Sequence, residues 1–334
     1  MGVVRDGPPP PARHGLVAPG LGWRTAIVAL VLCAALVPAD HAVASRRPVG
    51  NGLIVYVGTV GRGSQQIFTV SPAGRGRRQL TTGAGENLFP AWSSDGSRIA
   101  FTSTRTGTPE LWVMDAHGRH QVQLTHPPIV GGFVPSWSPD DRHIVFSAMS
   151  GSPAHPEIWT VDADGRSPRR LTTTVTMGGS NAPSWSPDGA SIAFASDRTG
   201  LPEVYAMRPD GTGLHQLTRP TPPLYPAANV PVWSPDGTRL AFWSGFEALF
   251  GQVWLMDAGG SGRHALTSCR PPANCDNPAW SPDGRFLLYE TNQGEGQGAA
   301  TWVMDVDGSH QRRLLPFPYG AGRRPWQPVP RLAP

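Results

Sequence analysis

The chain has 334 residues, of which 16% are charged and 39% hydrophobic, and its formal net charge is +4. All 28 basic residues are arginine, and they are scattered along the chain. The sequence therefore lacks the basic stripe with interleaved aromatic residues that would predict nucleic-acid binding. The 40 glycines and 37 prolines recur at regular intervals and do not pool in one tract. This composition indicates turns in one folded domain and excludes a disordered chain.

The first region in chain order is an apolar run near the N-terminus. Residues 25–37 are uncharged, an arginine precedes them, and small residues follow at the spacing that signal peptidase reads. This pattern predicts a signal peptide over residues 1–44, with cleavage between Ala44 and Ser45, and a short linker over residues 45–50. A membrane-spanning helix needs about 20 apolar residues, so an uncleaved anchor is the less favoured alternative. The protein is therefore expected to be exported to the periplasm, the cell envelope or the medium of a bacterium.

A tryptophan recurs along the rest of the chain at a spacing of 45 to 48 residues. Each of these tryptophans is followed by a tight-turn signal or its remnant. A repeat of this length, with strand-like sequence inside each unit, is typical of a β-propeller. The structural tryptophans of the repeat are Trp92, Trp137, Trp185, Trp233, Trp280 and Trp326.

The turn that follows the tryptophan reads Trp-Ser-Pro-Asp-Gly in three copies, for example at residues 185–189. Proline fixes φ at the second turn position and glycine accepts a left-handed conformation at the fourth, so we expect a type I turn that closes a hairpin. Two copies deviate, with Ser94 in place of the proline and Asp141 in place of the glycine, and both are expected to keep a weakened turn. Alternating strands follow the turns, four to a unit.

The first and last units are incomplete. Residues 52–80 supply three strands without a tryptophan strand ahead of them, and Trp326 lies in a strand that no turn follows. Joined, the two fragments complete one blade and leave no free sheet edge. The predicted fold is all-β: a six-bladed propeller of four-stranded antiparallel blades over residues 51–330, closed by pairing the N-terminal and C-terminal segments in one blade, with a tail over residues 331–334.

Length differences between the units fall in two links, the one from the second to the third strand and the one between blades. In a four-stranded meander both links lie on the same face of the disc, and loops on a rigid scaffold often carry binding residues. We expect polar residues of the inter-blade links to ring the channel mouth and apolar residues of this face to form a contact patch. Alternatively, the polar residues are ordinary turn formers and the apolar ones pack the loops down. The candidate partner-binding residues are Glu86, Asn87, Phe133, Asn181, Tyr225, Asn229, Phe246, Phe250, Asp276 and Asn277.

Two cysteines, Cys269 and Cys275, lie in a proline-rich link between blades. In an exported protein this arrangement predicts a disulfide that staples the loop. The alternative is a pair of free thiols that bind a metal, but the further Cys or His ligands of a zinc site are missing from the pattern.

No pattern in the chain predicts catalysis. The histidines do not recur at one repeat position, as inward-facing metal ligands of a propeller would, and no Gly-x-Ser-x-Gly pentapeptide marks a hydrolase nucleophile. The Asp-x-Asp-Gly segments at residues 162–165 and 305–308 lack the distal glutamate of a calcium loop. We therefore predict no catalytic residue, no metal site and no cofactor, and leave open a divalent cation in the channel.

The units combine Pro-x-Trp-Ser-Pro-Asp-Gly with a later Met-Asp-x-x-Gly and Leu-Thr, and residues 196–205 read Ser-Asp-Arg-Thr-Gly-Leu-Pro-Glu-Val-Tyr. These motifs, with the closing Pro-Trp-Gln-Pro, resemble the propeller repeats of the TolB family, also described as WD40-like or PD40 repeats. The resemblance implies an exported, monomeric, non-catalytic propeller that binds a protein or peptide at the envelope. Because the propeller repeats start close after the predicted cleavage site, we expect no counterpart of the N-terminal domain of TolB, so a role in the Tol-Pal machinery is not implied. Similar repeats occur in prolyl-oligopeptidase-like peptidases, and some six-bladed lactonases and lyases hold a channel metal, so an enzyme is the alternative.

Overall fold

A computed structural model describes residues 49–61, 63–149, 155–174, 178–219, 227–246, 250–293, 299–315 and 325–330. These described residues belong to one compact unit. The predicted signal peptide, its cleavage site, Tyr225 and the C-terminal tail lie outside the described residues. The described part of the chain contains no helix long and apolar enough to cross a membrane.

The described residues form six four-stranded sheets, all antiparallel, which are the predicted blades of a propeller. Blade 1 contains β24 (Trp326–Pro330), β1 (Val49–Val60), β2 (Ser64–Val70) and β3 (Arg78–Gln79); blade 2 contains β4 (Asn87–Trp92), β5 (Arg98–Ser103), β6 (Glu110–Asp115) and β7 (Val122–Gln123). Blade 3 contains β8 (Val130–Trp137), β9 (His143–Met149), β10 (Pro156–Asp162) and β11 (Arg169–Arg170); blade 4 contains β12 (Ser180–Trp185), β13 (Ile192–Ser196), β14 (Glu203–Met207) and β15 (His215–Gln216). Blade 5 contains β16 (Ala227–Trp233), β17 (Arg239–Phe246), β18 (Phe250–Asp257) and β19 (His264–Ala265); blade 6 contains β20 (Cys275–Trp280), β21 (Phe286–Thr291), β22 (Ala300–Asp305) and β23 (Arg312–Leu315).

Blade 1 is assembled from both ends of the propeller, as predicted. Strand β24 pairs antiparallel with β1, placing Val49 opposite Pro330 and Ile54 opposite Trp326. The backbone N–H of Val55 also donates to the carbonyl oxygen of Pro325 at 3.1 Å. This pairing confirms the predicted closure of the ring. It also covers the edge of β1 that would otherwise be exposed.

The core lies between neighbouring blades, where large side chains fill the wedge between the sheets. The strand aromatics Phe101, Phe146, Phe194 and Phe242 are each at most 2% exposed. Phe146, for example, belongs to a cluster that also contains Leu111 of the preceding blade. Full burial of one such side chain stabilises the fold by about 1.5–3 kcal/mol. This gain explains why the repeat keeps an aromatic residue nine positions after its tryptophan.

The Trp-Ser-Pro-Asp-Gly turns stack on one another around the ring. Inside a turn, the serine hydroxyl donates to the aspartate, as Ser186 does to Asp188 at 2.6 Å. Between turns, glycine packs against the proline of the preceding blade, and a Cβ on Gly237 would lie 3.1 Å from Cγ of Pro187. Gly96 instead packs against the backbone carbonyl of Pro328 in the closing strand, so the contact between neighbouring blades continues across the split blade.

The two deviant turns, in blades 2 and 3, compensate for each other. Because Ser94 replaces a proline, its backbone N–H is present, and it donates to Oδ1 of Asp141 at 2.6 Å. The backbone N–H of Asp95 donates to Oδ2 of the same carboxylate at 3.0 Å. Asp141 adopts the left-handed φ of 58° that glycine provides elsewhere. The turn of blade 2 is therefore anchored to blade 3 by two hydrogen bonds, one of which a proline at residue 94 could not make.

A buried polar pair ties the third strand to the fourth in five of the blades. Glu110 in blade 2 accepts a hydrogen bond of 2.5 Å from the hydroxyl of Thr125, which in turn accepts the backbone N–H of Leu111 at 2.9 Å. Blade 6 has Ala300 and Leu315 at the positions of Glu110 and Thr125, so both members of the pair are replaced by apolar residues. The other pairs are Gln66 with Thr81, Glu157 with Thr172, Glu203 with Thr218, and Gln252 with Thr267.

Candidate partner-binding site

The central channel has a cavity at each end. Its wall is formed by the innermost strands, which run from the variable links toward the Trp-Ser-Pro-Asp-Gly turns. We call the face that carries the links the variable face and the face that carries these turns the turn face. A pocket of about 290 Å³ lies at the variable end, and a larger cavity of about 1020 Å³ lies at the turn end.

A β-bulge interrupts the innermost strand of blades 2 to 6 at the same step, three residues before the tryptophan. The residue there has a positive φ although only one of the five is an asparagine and none is a glycine. This backbone conformation costs on the order of 1–3 kcal/mol per residue. A proline follows the bulge residue in all five copies. The five residues and their φ values are Phe89 (50°), Val134 (50°), Ala182 (51°), Val230 (53°) and Asn277 (51°).

The five bulge residues line the pocket at the variable end, together with several of the predicted binding residues. Asn181 and Asn229 precede two of the bulges, and with Asn277 they bring three carboxamides from three successive blades into one pocket. Phe133 forms the apolar part of the wall and meets the ring of Phe89 edge-on, with centroids 6.0 Å apart. The bulges were not predicted from the sequence, although a Pro-x-Trp in each inner strand of blades 2 to 6 marks their position.

Hydrogen bonds hold the backbone of the pocket while leaving carboxamide groups available. The hydroxyl of Ser147 accepts the backbone N–H of Ala182 at 3.0 Å, and Oδ1 of Asn229 accepts that of Val230 at 2.8 Å. Within the described residues, the carboxamide of Asn181 makes no hydrogen bond. A pocket wall that combines amide donors and acceptors with aromatic carbon is suited to an extended peptide.

Glu86 and Asn87 do not lie in this pocket. Asn87 is fully buried, and it donates to Gln66 at 2.9 Å and accepts from Arg105 at 2.8 Å. Glu86 accepts the backbone N–H of Gln65 at 2.7 Å and so joins blade 2 to blade 1. Counted from the tryptophan, Asn87 comes one residue earlier than Asn181, and this single step turns it away from the channel.

The remaining candidates are distributed over the variable face. Phe250 lies at the start of β18, outside the pocket, and is 38% exposed. The backbone of Phe246 belongs to β17, while its side chain, like all of Tyr225, falls outside the described residues. Asp276 lies beside the pocket, opposite Glu290 in the β20–β21 pair, and the side-chain amide of Asn277 donates to both carboxylates at 3.4 and 3.3 Å.

The loop between blades 5 and 6 is held from both ends. Cys269 is joined to Cys275 by a disulfide, with the two Cα atoms 6.0 Å apart. Between them, Oδ1 of Asn274 accepts the indole N–H of Trp243 at 3.0 Å and the backbone N–H of Gly251 at 2.7 Å. This loop leads directly into Asp276 and Asn277 and fixes their position.

The cavity at the turn end was not predicted, because length differences between the units drew attention to the opposite face. Proline and tryptophan residues of the repeat recur around its wall, together with Asp188, Asp236 and Asp283. Burial acts to raise the pKa of Asp236, but hydrogen bonds from Ser234 and Thr238 outweigh it and hold that pKa below its ordinary value. Within the described part of the chain, no three His, Cys, Asp or Glu side chains are close enough to hold a metal ion together.

Comparison with known proteins agrees with this architecture. A solved structure of TolB from Acinetobacter baumannii has the same fold, with a TM-score of 0.69 and 23% identity over 83% of this chain and 66% of that one. The Tol-Pal system protein TolB of Desulfosudis oleivorans is 34% identical over 86 residues, which is 26% of this chain and 19% of that protein. The uncharacterized peptidase YuxL of Bacillus subtilis is 38% identical over 52 residues, 16% of this chain and 8% of that protein. The matched stretches thus span a fifth or less of these two relatives.

The match to a family profile is longer than either of these stretches. The profile described as the TolB beta propeller domain (PD40) matches residues 129–329, which is more than half of the 334-residue chain. With its split blade and its repeated Trp-Ser-Pro-Asp-Gly turns, the chain belongs to the TolB β-propeller family.

Proposed function

We propose that this protein is an exported, non-catalytic propeller that binds a protein or peptide in the pocket at the variable end of its channel. One observation carries the proposal. Asn181, Asn229 and Asn277 come from three successive blades and meet in one pocket beside Phe133. Carboxamides both donate and accept hydrogen bonds, which matches the alternating N–H and C=O groups of a peptide backbone.

The strained bulges support the same site. Five residues at positive φ around one opening are retained against a backbone cost, and strain of this kind concentrates where a scaffold presents a binding surface. Similarity to Tol-Pal system proteins also favours a protein partner at the cell envelope. The proposal needs no cofactor, and it treats the protein as a monomer.

Photo-crosslinking tests the proposed site. A photoreactive amino acid placed at Asn181 or at Asn229 should crosslink a protein of the cell envelope, because both side chains face the pocket. The matched control carries the same group at Arg285, an exposed residue beside the turn-end cavity. The crosslink from Asn181 should weaken in a variant with Asn229→Ala and Asn277→Ala that retains its melting temperature. Equal crosslinking from Arg285, or no loss in that variant, would disprove the site.

Calorimetry addresses the competing enzyme class, in which the channel holds a metal. Six-bladed enzymes of that kind need a divalent cation bound by several blades. We expect no micromolar binding when calcium or manganese is titrated into the protein. Tight binding of either ion would contradict the non-catalytic proposal and favour a metal-dependent enzyme.

A further inference from the structure

One position of the repeat bears on how well the tryptophan of the following blade is covered. It lies one residue before the second-strand residue that pairs with the tryptophan of its own blade. The side chain at this position is basic in two blades and differs in the others. In blades 2 to 6 the residues are, in order, Arg98, His143, Ser191, Arg239 and Phe286.

Both arginines lie over the tryptophan of the next blade. The guanidinium carbon of Arg98 is 4.5 Å from the ring centre of Trp137, and Nη2 of Arg98 donates to the carbonyl oxygen of Asp141 at 2.8 Å. The guanidinium carbon of Arg239 is 5.4 Å from the ring centre of Trp280. The two covered tryptophans are only 5% and 8% exposed. The molecule thus contains two occupied examples of one site, in which an arginine stacks on the indole of the following blade.

Trp233 of blade 5 lacks this cover. The preceding blade has Ser191 at the arginine position, and no arginine among the described residues lies over the ring of Trp233. The side chain of Trp233 is only partly buried, and it lines the turn-end cavity. Trp185, which follows the blade with His143, is also partly buried, but it is not part of the wall of this cavity. Trp233 therefore offers uncovered ring surface to a ligand in the cavity.

The charges beside Trp233 favour a cation. Asp188 lines the same cavity and lies three residues before Ser191, as Asp95 lies three residues before Arg98. The charge of Arg98 acts on the carboxylate of Asp95 in blade 2, so a guanidinium over Trp233 would meet Asp188 in the same way. Three aspartates and two arginines line the cavity as a whole, so its formal charge is negative.

We propose that Trp233 binds the guanidinium group of an arginine in a short peptide that enters the turn-end cavity. In this arginine socket, the guanidinium lies over the indole, faces Asp188 and donates to the carbonyl oxygen of Gly237, which corresponds to that of Asp141 in blade 3. Arginine suits the site better than lysine, because its planar group stacks on the ring and keeps its N–H donors in the same plane. The cavity volume of about 1020 Å³ lies near the upper end of the range for small-ligand sites.

Fluorine NMR of the full protein, labelled with fluorinated tryptophan, tests the socket. The Trp233 signal is assigned from Trp233→Phe. The probe is N-acetyl-arginine methylamide, and its matched control is N-acetyl-citrulline methylamide, which has nearly the same shape but no charge. The arginine probe should shift the Trp233 signal in a saturable way, and the citrulline probe should bind about tenfold more weakly.

Two reciprocal substitutions sharpen the test. Ser191→Arg supplies the guanidinium from the chain itself, so it should abolish the shift of the Trp233 signal while the melting temperature is kept or raised. Arg98→Ser should uncover Trp137, so that the arginine probe shifts a second tryptophan signal. If Arg98→Ser does not fold, Arg239→Ser uncovers Trp280 in the same way. The socket would be overturned by an unmoved Trp233 signal, by equal binding of the citrulline probe, or by unchanged binding in Ser191→Arg.

The socket and the pocket of the proposed function can fail separately, since they lie at opposite ends of the channel. A variant with Asn181→Ala and Asn229→Ala should leave the shift of the Trp233 signal unchanged. Ser191→Arg should leave the crosslink from residue 181 unchanged. A short peptide in the socket gives no crosslink to an envelope protein, so the control at Arg285 keeps its meaning.

Discussion

The paired deviations in the turns of blades 2 and 3 lead to a prediction about energetic coupling. Asp141 accepts two backbone N–H groups of the neighbouring turn, one of which exists only because Ser94 is not a proline. Changing Asp141→Gly and Ser94→Pro together restores the consensus turn of the other blades. We expect each single change to destabilise the protein and the double change to cost less than their sum.

The expected magnitudes follow from these contacts. Each hydrogen bond at this partly exposed site contributes about 1 kcal/mol, so Asp141→Gly loses about 2 kcal/mol and regains about 1 kcal/mol because glycine tolerates a φ of 58°. Ser94→Pro loses its backbone bond to Asp141 and the 3.3 Å bond from its hydroxyl to the carbonyl oxygen of Ser138, about 2 kcal/mol together, and regains about 0.5 kcal/mol from the stiffer unfolded chain. The double variant loses the shared bond only once, so the coupling free energy should be about 1 kcal/mol.

Urea unfolding followed by tryptophan fluorescence measures this cycle. The reciprocal cycle moves the deviation into blades 4 and 5, where Gly237 packs on Pro187. There, Gly237→Asp should be destabilising alone and should recover about 1 kcal/mol when Pro187→Ser supplies the missing N–H. Additivity of the single changes within about 0.3 kcal/mol, in both cycles, would refute the compensation.

Three further predictions concern the scaffold. Burial raises the pKa of Glu203, so this group's contribution to stability is full below the unfolded pKa and is lost as pH rises through the folded pKa. Chemical unfolding should therefore show that Glu203→Gln is less stable than the wild type in acid and gains stability relative to it at neutral pH. A difference in stability that does not change with pH would contradict this. Gly96→Ala should lower the free energy of unfolding by about 2–4 kcal/mol, because the new Cβ would overlap the carbonyl oxygen of Pro328. The control Gly107→Ala also places alanine at positive φ, but in open space, and should lower it by about 1–2 kcal/mol. Equal losses in the two variants would rule out the overlap. Deleting residues 322–334 should sharply lower the melting temperature, and an unchanged curve would refute ring closure by β24.

The repeat made the fold predictable because its local and long-range signals agree. Trp-Ser-Pro-Asp-Gly specifies a turn, the aromatic nine residues after the tryptophan specifies the core side of a strand, and the unpaired fragments at the two ends complete each other. The position of the candidate pocket was also accessible from sequence, since Asn181 and Asn229 lie near the start of inner strands, where the variable links converge.

Other features depended on register and on packing between blades, which a single sequence does not display. Asn87 lies five residues before its tryptophan and Asn181 lies four before its own, so the two side chains point in different directions although both lie at the start of an inner strand. The pair of a glutamate or glutamine with a threonine had a visible signal, because Leu-Thr ends five units, whereas blade 6 ends in Leu314-Leu315 and has Ala300 at the position of the partner. One member stands out: Oε1 of Glu203 has no hydrogen-bond partner among the described residues, and the residue two after Thr218 is a proline, which has no N–H to offer.

The split blade also determines the order in which the chain can fold. Blades 2 to 6 pair strands that are close in sequence, so each can form from local contacts as soon as its own segment is available. The contact between Ile54 and Trp326 joins opposite ends of the propeller, and it has to wait until the last strand has been synthesised. Ring closure is therefore expected to be the late, slow step, during which the edge of β1 is open to other chains.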